Sequence, residues 1–277
     1  MSYLVRGGLI LLLVAAFGLP LVTAHSAWQH LAGLPGGIHT SALLHRESVL
    51  LLGLTGIATL PLVRLAVASV RVLRASRRLS LVATTAEEGH HDGLTYLCVP
   101  DPRVSLFAAG FVRPHIYATQ GAVDAMPSAL LRAGLLHELA HLRGDHPRWF
   151  AILAILRHAY GFLPGARRYF DAVRLEAERQ ADHWALAAGA HRTDLFDAIA
   201  LAATTGPVRD SREPAGALGA VGVEQRLRWI ALDEPGRQQL PLAGAALSTA
   251  ALWAVPLAAH GFLWVGLISG ITSHHAA

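Results

Sequence analysis

The chain has 277 residues, 53% hydrophobic and only 15% charged, with a formal net charge of +4 and a pI near 9.8. Soluble domains typically carry about 25% charged residues, so this composition points toward membrane insertion. A single cysteine, Cys98, excludes an intrachain disulfide and fits a reducing compartment.

In chain order, the first feature is an apolar run from Leu4 to Ala24, broken by Arg6. A membrane-crossing helix needs roughly 20 such residues, so the run reads as a retained anchor rather than a cleaved leader. A second run extends from Val49 to about Val70, interrupted by Arg64. Arg64, Arg71, Arg74, Arg77 and Arg78 cluster at its end, whereas the preceding loop holds only Arg46. The positive-inside rule then sets that loop outside and the central region in the cytoplasm. The arginines suit anionic membrane lipids as a partner. No aromatic interleaving accompanies them, which argues against nucleic acid.

Next come three short strands, at 94–99, Val104 to Ala108 and His115 to Thr119, punctuated by Pro100, Pro102, Gly110 and Pro114. Cys98 sits in the first and reads as a buried structural thiol. A helix begins near Pro127-Ser128 and stops at Gly144. The apolar stretch 148–163 reads as a helix packed on this domain or lying on a membrane surface. A second polar helix carries Arg174 to Trp184, 204–220 reads as a loop, and a helix spans about Val223 to Ala231. The last apolar run goes from Leu240 to Thr272, as one span or a hairpin around Pro256. The expected organisation is a membrane region at 1–74, a peptidase domain at 75–239, and a final span with tail at 240–277. The histidines of the first loop, His90-His91 and His274-His275 read as solvated surface.

The chemistry concentrates in His137-Glu138-Leu139-Ala140-His141. Histidines four apart share one helix face, so both imidazoles reach one zinc ion. Glu138 lies beside them and can take a proton from a zinc-bound water. A third ligand is found in Glu178, with Glu176 as its competitor. Asp182 follows Glu178 by one turn and can hold the outer nitrogen of a ligating histidine. The bland alternative is a pair of ordinary helix histidines and a solvated acidic face paired with Arg174 and Arg179. His146, His158, Tyr160 and Tyr169 are candidates for stabilising an oxyanion. Strands preceding the histidine helix suit a sheet edge that holds an extended peptide by strand addition.

Phe111-Val-Arg-Pro-His-Ile-Tyr-Ala-Thr119, then His-Glu-Leu-Ala-His with Leu142-Arg-Gly-Asp145-His146, then Glu178-x-x-x-Asp182, resembles the membrane metallopeptidases of the BlaR/MecR type. It is also similar to the HtpX and CAAX-prenyl-protease group. The resemblance covers roughly residues 75–235. It implies an α+β, mostly helical integral membrane protein of the cell membrane, with a gluzincin-like zinc peptidase domain between transmembrane helices. It implies Zn2+ on His137, His141 and Glu178, with Glu138 as catalytic base and Asp182 behind a histidine. The expected protein lacks the penicillin-binding sensor of the receptors, because without lysine no S-x-x-K motif is possible in these 277 residues. The implied activity is endopeptidase cleavage of a protein or peptide, with a cytosolic transcriptional repressor as the implied partner. The alternatives are an HtpX-like quality-control protease and a non-catalytic membrane signalling protein.

Overall fold

The computed structural model describes residues 46–162, 165–205 and 222–232, together with His25. The chain divides into two compact units. The first comprises Ala68–Arg157 and Arg168–Leu240, and the second Ser2–Val67, His158–Arg167 and Pro241–Ala277.

Seven described helices and four strands follow in order: α1 (Arg46–Thr85), β1 (Glu87–His91), β2 (Leu94–Val99), β3 (Leu106–Ala109), β4 (His115–Thr119), α2 (Gln120–Ala125), α3 (Ser128–Arg143), α4 (His146–Tyr160), α5 (Ala166–Ala187), α6 (Arg192–Thr205) and α7 (Val223–Leu232). The architecture is α+β and mostly helical, as expected. The sheet order is β1-β2-β4-β3. The β1–β2 hairpin turns through Asp92 and Gly93, both at positive φ, and pairs antiparallel. β2 runs parallel to β4, and β3 returns antiparallel to β4 as an edge strand. The register Ala108↔Ile116 and Leu106↔Ala118 puts small or branched apolar residues on the face that meets α3.

That face makes the core of the first unit. Leu106, Ile116 and Ala118 from the sheet pack with Leu131, Leu135 and Leu136 of α3, Leu195 and Ile199 of α6, and Ile230 of α7. Burying one such side chain contributes about 1.5–3 kcal/mol. Because α3 spends Leu131 and Leu135 on this core, register fixes where its histidines point.

The described part of the second unit is small. Arg64 donates from Nε and Nη2 to the His158 carbonyl at 3.0 and 2.8 Å and lies over the Phe162 ring.

The expectation of an integral, multi-pass protein of the cell membrane, with its orientation, is corrected here. Among the described residues, no helix is long and apolar enough to cross a membrane. The second apolar run falls in α1, which is forty residues long. Its described side chains include Arg64, Arg71, Arg74, Arg77 and Arg78, spaced so that charge recurs every turn or two. The expected spans at Leu4–Ala24 and Leu240–Thr272, and the loop at 206–220, lie outside the described residues.

Candidate metal centre

Pro127 occupies the N-cap of α3 and Gly144 its C-cap, so the helix ends two residues after His141. The chain then reverses through Asp145, held at φ 56°. This reversal returns the His146 ring onto His141, Nδ1 to Nδ1, at 2.8 Å. Gly144 is required by close approach, not by its φ of −79°: a Cβ there would sit 2.5 Å from His146 Nε2.

His137 and His141 lie one helical turn apart and project on the same side, with their Nε2 atoms 3.0 Å apart. α5 brings Glu178 to them. Its Oε2 stands 3.3 Å from His137 Nε2 and 3.6 Å from His141 Nε2. Ligand atoms about 2.0–2.1 Å from a tetrahedral zinc ion stand about 3.3 Å from one another. The three separations bracket that value. His137, His141 and Glu178 therefore form a buried group that can hold a metal ion, with one donor atom from each within 4.8 Å of the others. All three are buried, which rules out the solvated acidic face as an account of Glu178 and Asp182.

The donors are held from behind. His137 Nδ1 lies 2.9 Å from Asp182 Oδ1. With Asp182 on one imidazole and His146 on the other, both rings are fixed with Nε2 forward. His146, a candidate oxyanion donor by sequence, is thus engaged on the side of His141 that faces away from the cluster. His158 and Tyr160 belong to the second unit, and Tyr169 meets the Phe170 ring edge-on. Glu176, the competing ligand, accepts from Arg179 at 2.8 and 2.7 Å and from Gln180 at 2.8 Å. Its carboxylate is already satisfied, whereas Glu178 Oε1 and Oε2 are buried without a well-formed hydrogen bond, Oε2 having ion contacts alone. A buried carboxylate in that state is what a cation would complete.

Glu138 follows His137 on α3 and is fully buried. The Ala108 N–H of β3 donates to its Oε2 at 2.7 Å, and its Oε1 has no hydrogen-bond partner. One oxygen is thereby anchored and the other left available for a proton.

Arg226 is not among the residues singled out from the sequence. Its guanidinium, fully buried, reaches from α7 and donates to Asp182 at 2.9 and 2.7 Å. Nη1 lies 3.1 Å from Glu178 Oε2. A signal existed: Arg226 precedes Ile230 by one turn, and both are the buried residues of α7. An arginine on the apolar stripe of an amphipathic helix needs a buried partner.

Electrostatics follow from this burial. Burial opposes charge on His137, but the Asp182 carboxylate prevails and raises its pKa to about 9. Burial lowers the pKa of His141, and it drives that of His146 down to about 3. Burial pushes Glu138 up to about 8. The same burial would raise Glu178 and Asp182, yet Arg226 outweighs it and holds both below the ordinary carboxylate range. A divalent cation together with Arg226 would balance Glu138, Glu178 and Asp182, all ionised. The donor set, two imidazoles and one carboxylate, is that of zinc sites that keep a position open for water.

No protein-family model matches the chain, and no curated protein matches it.

Proposed function

We propose that this protein is a zinc-dependent endopeptidase. The observation that carries the reading is the pairing of the buried His137–His141–Glu178 group with a base, Glu138, that has one oxygen anchored and one free. A bound zinc ion supplies Lewis acidity, polarising a water and a carbonyl. Glu138 accepts the water proton at Oε1 and returns it to the leaving amine. Its raised pKa suits a group that both takes and gives a proton near neutrality. Asp182 and His146 keep the imidazoles from rotating. β3 is paired on one side only, so its outer edge suits an extended peptide laid beside it. The resemblance to zinc peptidases of the BlaR/MecR type supports the same chemistry, with a repressor-like protein as the substrate it implies. A non-catalytic metal site would not need an acid–base group at Glu138, which favours the enzyme.

The test is metal analysis joined to proteolysis. Purified protein should hold one zinc per chain and cleave an unfolded protein; a chelator should stop cleavage and zinc restore it. Stoichiometric zinc with no cleavage of any unfolded protein would overturn the peptidase.

A further inference from the structure

We infer that the turn Gly110–Pro114 is the substrate-selecting part of the site, holding an apolar side chain of an extended peptide; this rests on the peptidase reading. The Ala108 N–H that donates to Glu138 makes β3 a wall of the site. The turn begins immediately after β3 ends at Ala109. At about 3.3 Å per extended residue, Val112 lies within about 13 Å of Ala108, a reach of about three to four substrate residues.

The backbone of this turn is tethered at several points. Gly110 sits at φ 118°, and a Cβ there would lie 2.5 Å from the Arg113 carbonyl, so only glycine makes the bend. Arg148 donates from Nε to the Phe111 carbonyl at 2.7 Å and from Nη2 to the Val112 carbonyl at 3.1 Å. Its Nη1 is held by Asp145 Oδ1 at 2.8 Å, in the reversal that follows the histidine helix. Ser76 Oγ accepts from the Phe111 N–H at 3.4 Å. The turn is thus braced against the same segment that positions His146.

The side chains are treated differently. Phe111 is 36% exposed and Val112 76% exposed. Val112, mostly in water, contributes little to folding, and Phe111 keeps about a third of its surface exposed on the same braced tip. They are pre-organised to take an apolar group out of water without first losing freedom. The ligand class is therefore an extended peptide with an aliphatic or aromatic side chain about three to four residues from the cleaved bond.

The experiment uses the full-length zinc-loaded protein and a peptide library varied one position at a time around a cleavable bond. Wild type should prefer an apolar residue at that distance. Apolar contacts of this size discriminate by about 10- to 200-fold. Val112→Asp and Phe111→Ser should abolish the preference, raising KM for the apolar peptide about 10-fold or more with kcat unchanged. In these variants kcat/KM for the apolar peptide should fall to that of the matching serine peptide. Val112→Thr, with the shape kept, should give an intermediate loss and guards against unfolding in the first two. An unchanged profile in all three variants, or no positional preference in wild type, overturns the inference while leaving the peptidase standing. No cleavage by zinc-loaded wild type sinks both.

Discussion

Replacing Arg226 by methionine removes a buried cation and keeps most of the side-chain volume. Asp182 and Glu178 then lose the guanidinium they share and keep only His137 as a cationic neighbour. Removing one partner of a buried pair costs about 3–5 kcal/mol, because the remaining charge is unpaired. That is a large share of a total stability of about 5–15 kcal/mol. Asp182 also loses the groups that aim it at His137, so zinc affinity should fall about 10- to 100-fold, as for other groups that hold a ligand from behind. Urea unfolding and chelator competition measure the two effects. The sign of the pH dependence follows from the depressed pKa values of Asp182 and Glu178. Their stabilisation is fully present above the ordinary carboxylate pKa of about 4 and is lost as pH falls through the lower folded values. Without Arg226 those values rise, so acid unfolding should begin at higher pH. Adding Asp182→Asn to the variant should cost less than it does in wild type. A loss below about 0.5 kcal/mol with additive behaviour, the range of an ordinary surface substitution, would refute the reasoning.

Other outcomes follow from the same contacts. Zinc binding at neutral pH should release protons, because His137 at about 9 and Glu138 at about 8 hold them until the ion arrives; affinity should rise from pH 6 to 9, and calorimetry in buffers of different ionisation enthalpy reads the release. Gly144→Ala should weaken zinc about 10-fold by displacing His146, and adding His146→Ala should recover stability; equal stability of all three proteins would show that the close approach does not matter. Leu135→Ala in the core should lower stability by about 2–5 kcal/mol, and a loss under about 0.5 kcal/mol in urea unfolding would place Leu135 outside the core.

What could be read in the sequence followed from local signals. Pro127 and Gly144 bracket the histidine helix, and the structure runs it from Ser128 to Arg143. Strands at 94–99 and His115 to Thr119 match β2 and β4, and the one expected from Val104 forms from Leu106 to Ala109. β1 was not legible, because Glu87-Glu88-Gly89-His90-His91 has neither alternation nor branched residues. It pairs through the Asp92-Gly93 turn, and Gly89 clears the Tyr96 ring. His90 is exposed as expected, but His91 lies near Ser128 at 3.0 Å. Cys98 is half-buried and donates to Gln120. The role of His146 depends on a reversal through Asp145 that residue spacing does not encode. Arg226 meets Asp182 across 44 positions of chain, and a contact of that range leaves only the weak trace of an arginine on an apolar stripe.

The central claim is that the buried triad holds zinc and that Glu138 moves the proton. Zinc content and turnover of Glu138→Gln, compared with wild type on one defined peptide, test it most directly. The account predicts one zinc per chain in both proteins and a rate lowered about 10²- to 10⁴-fold in the variant. Equal rates in the two proteins, or no zinc in wild type, would contradict it.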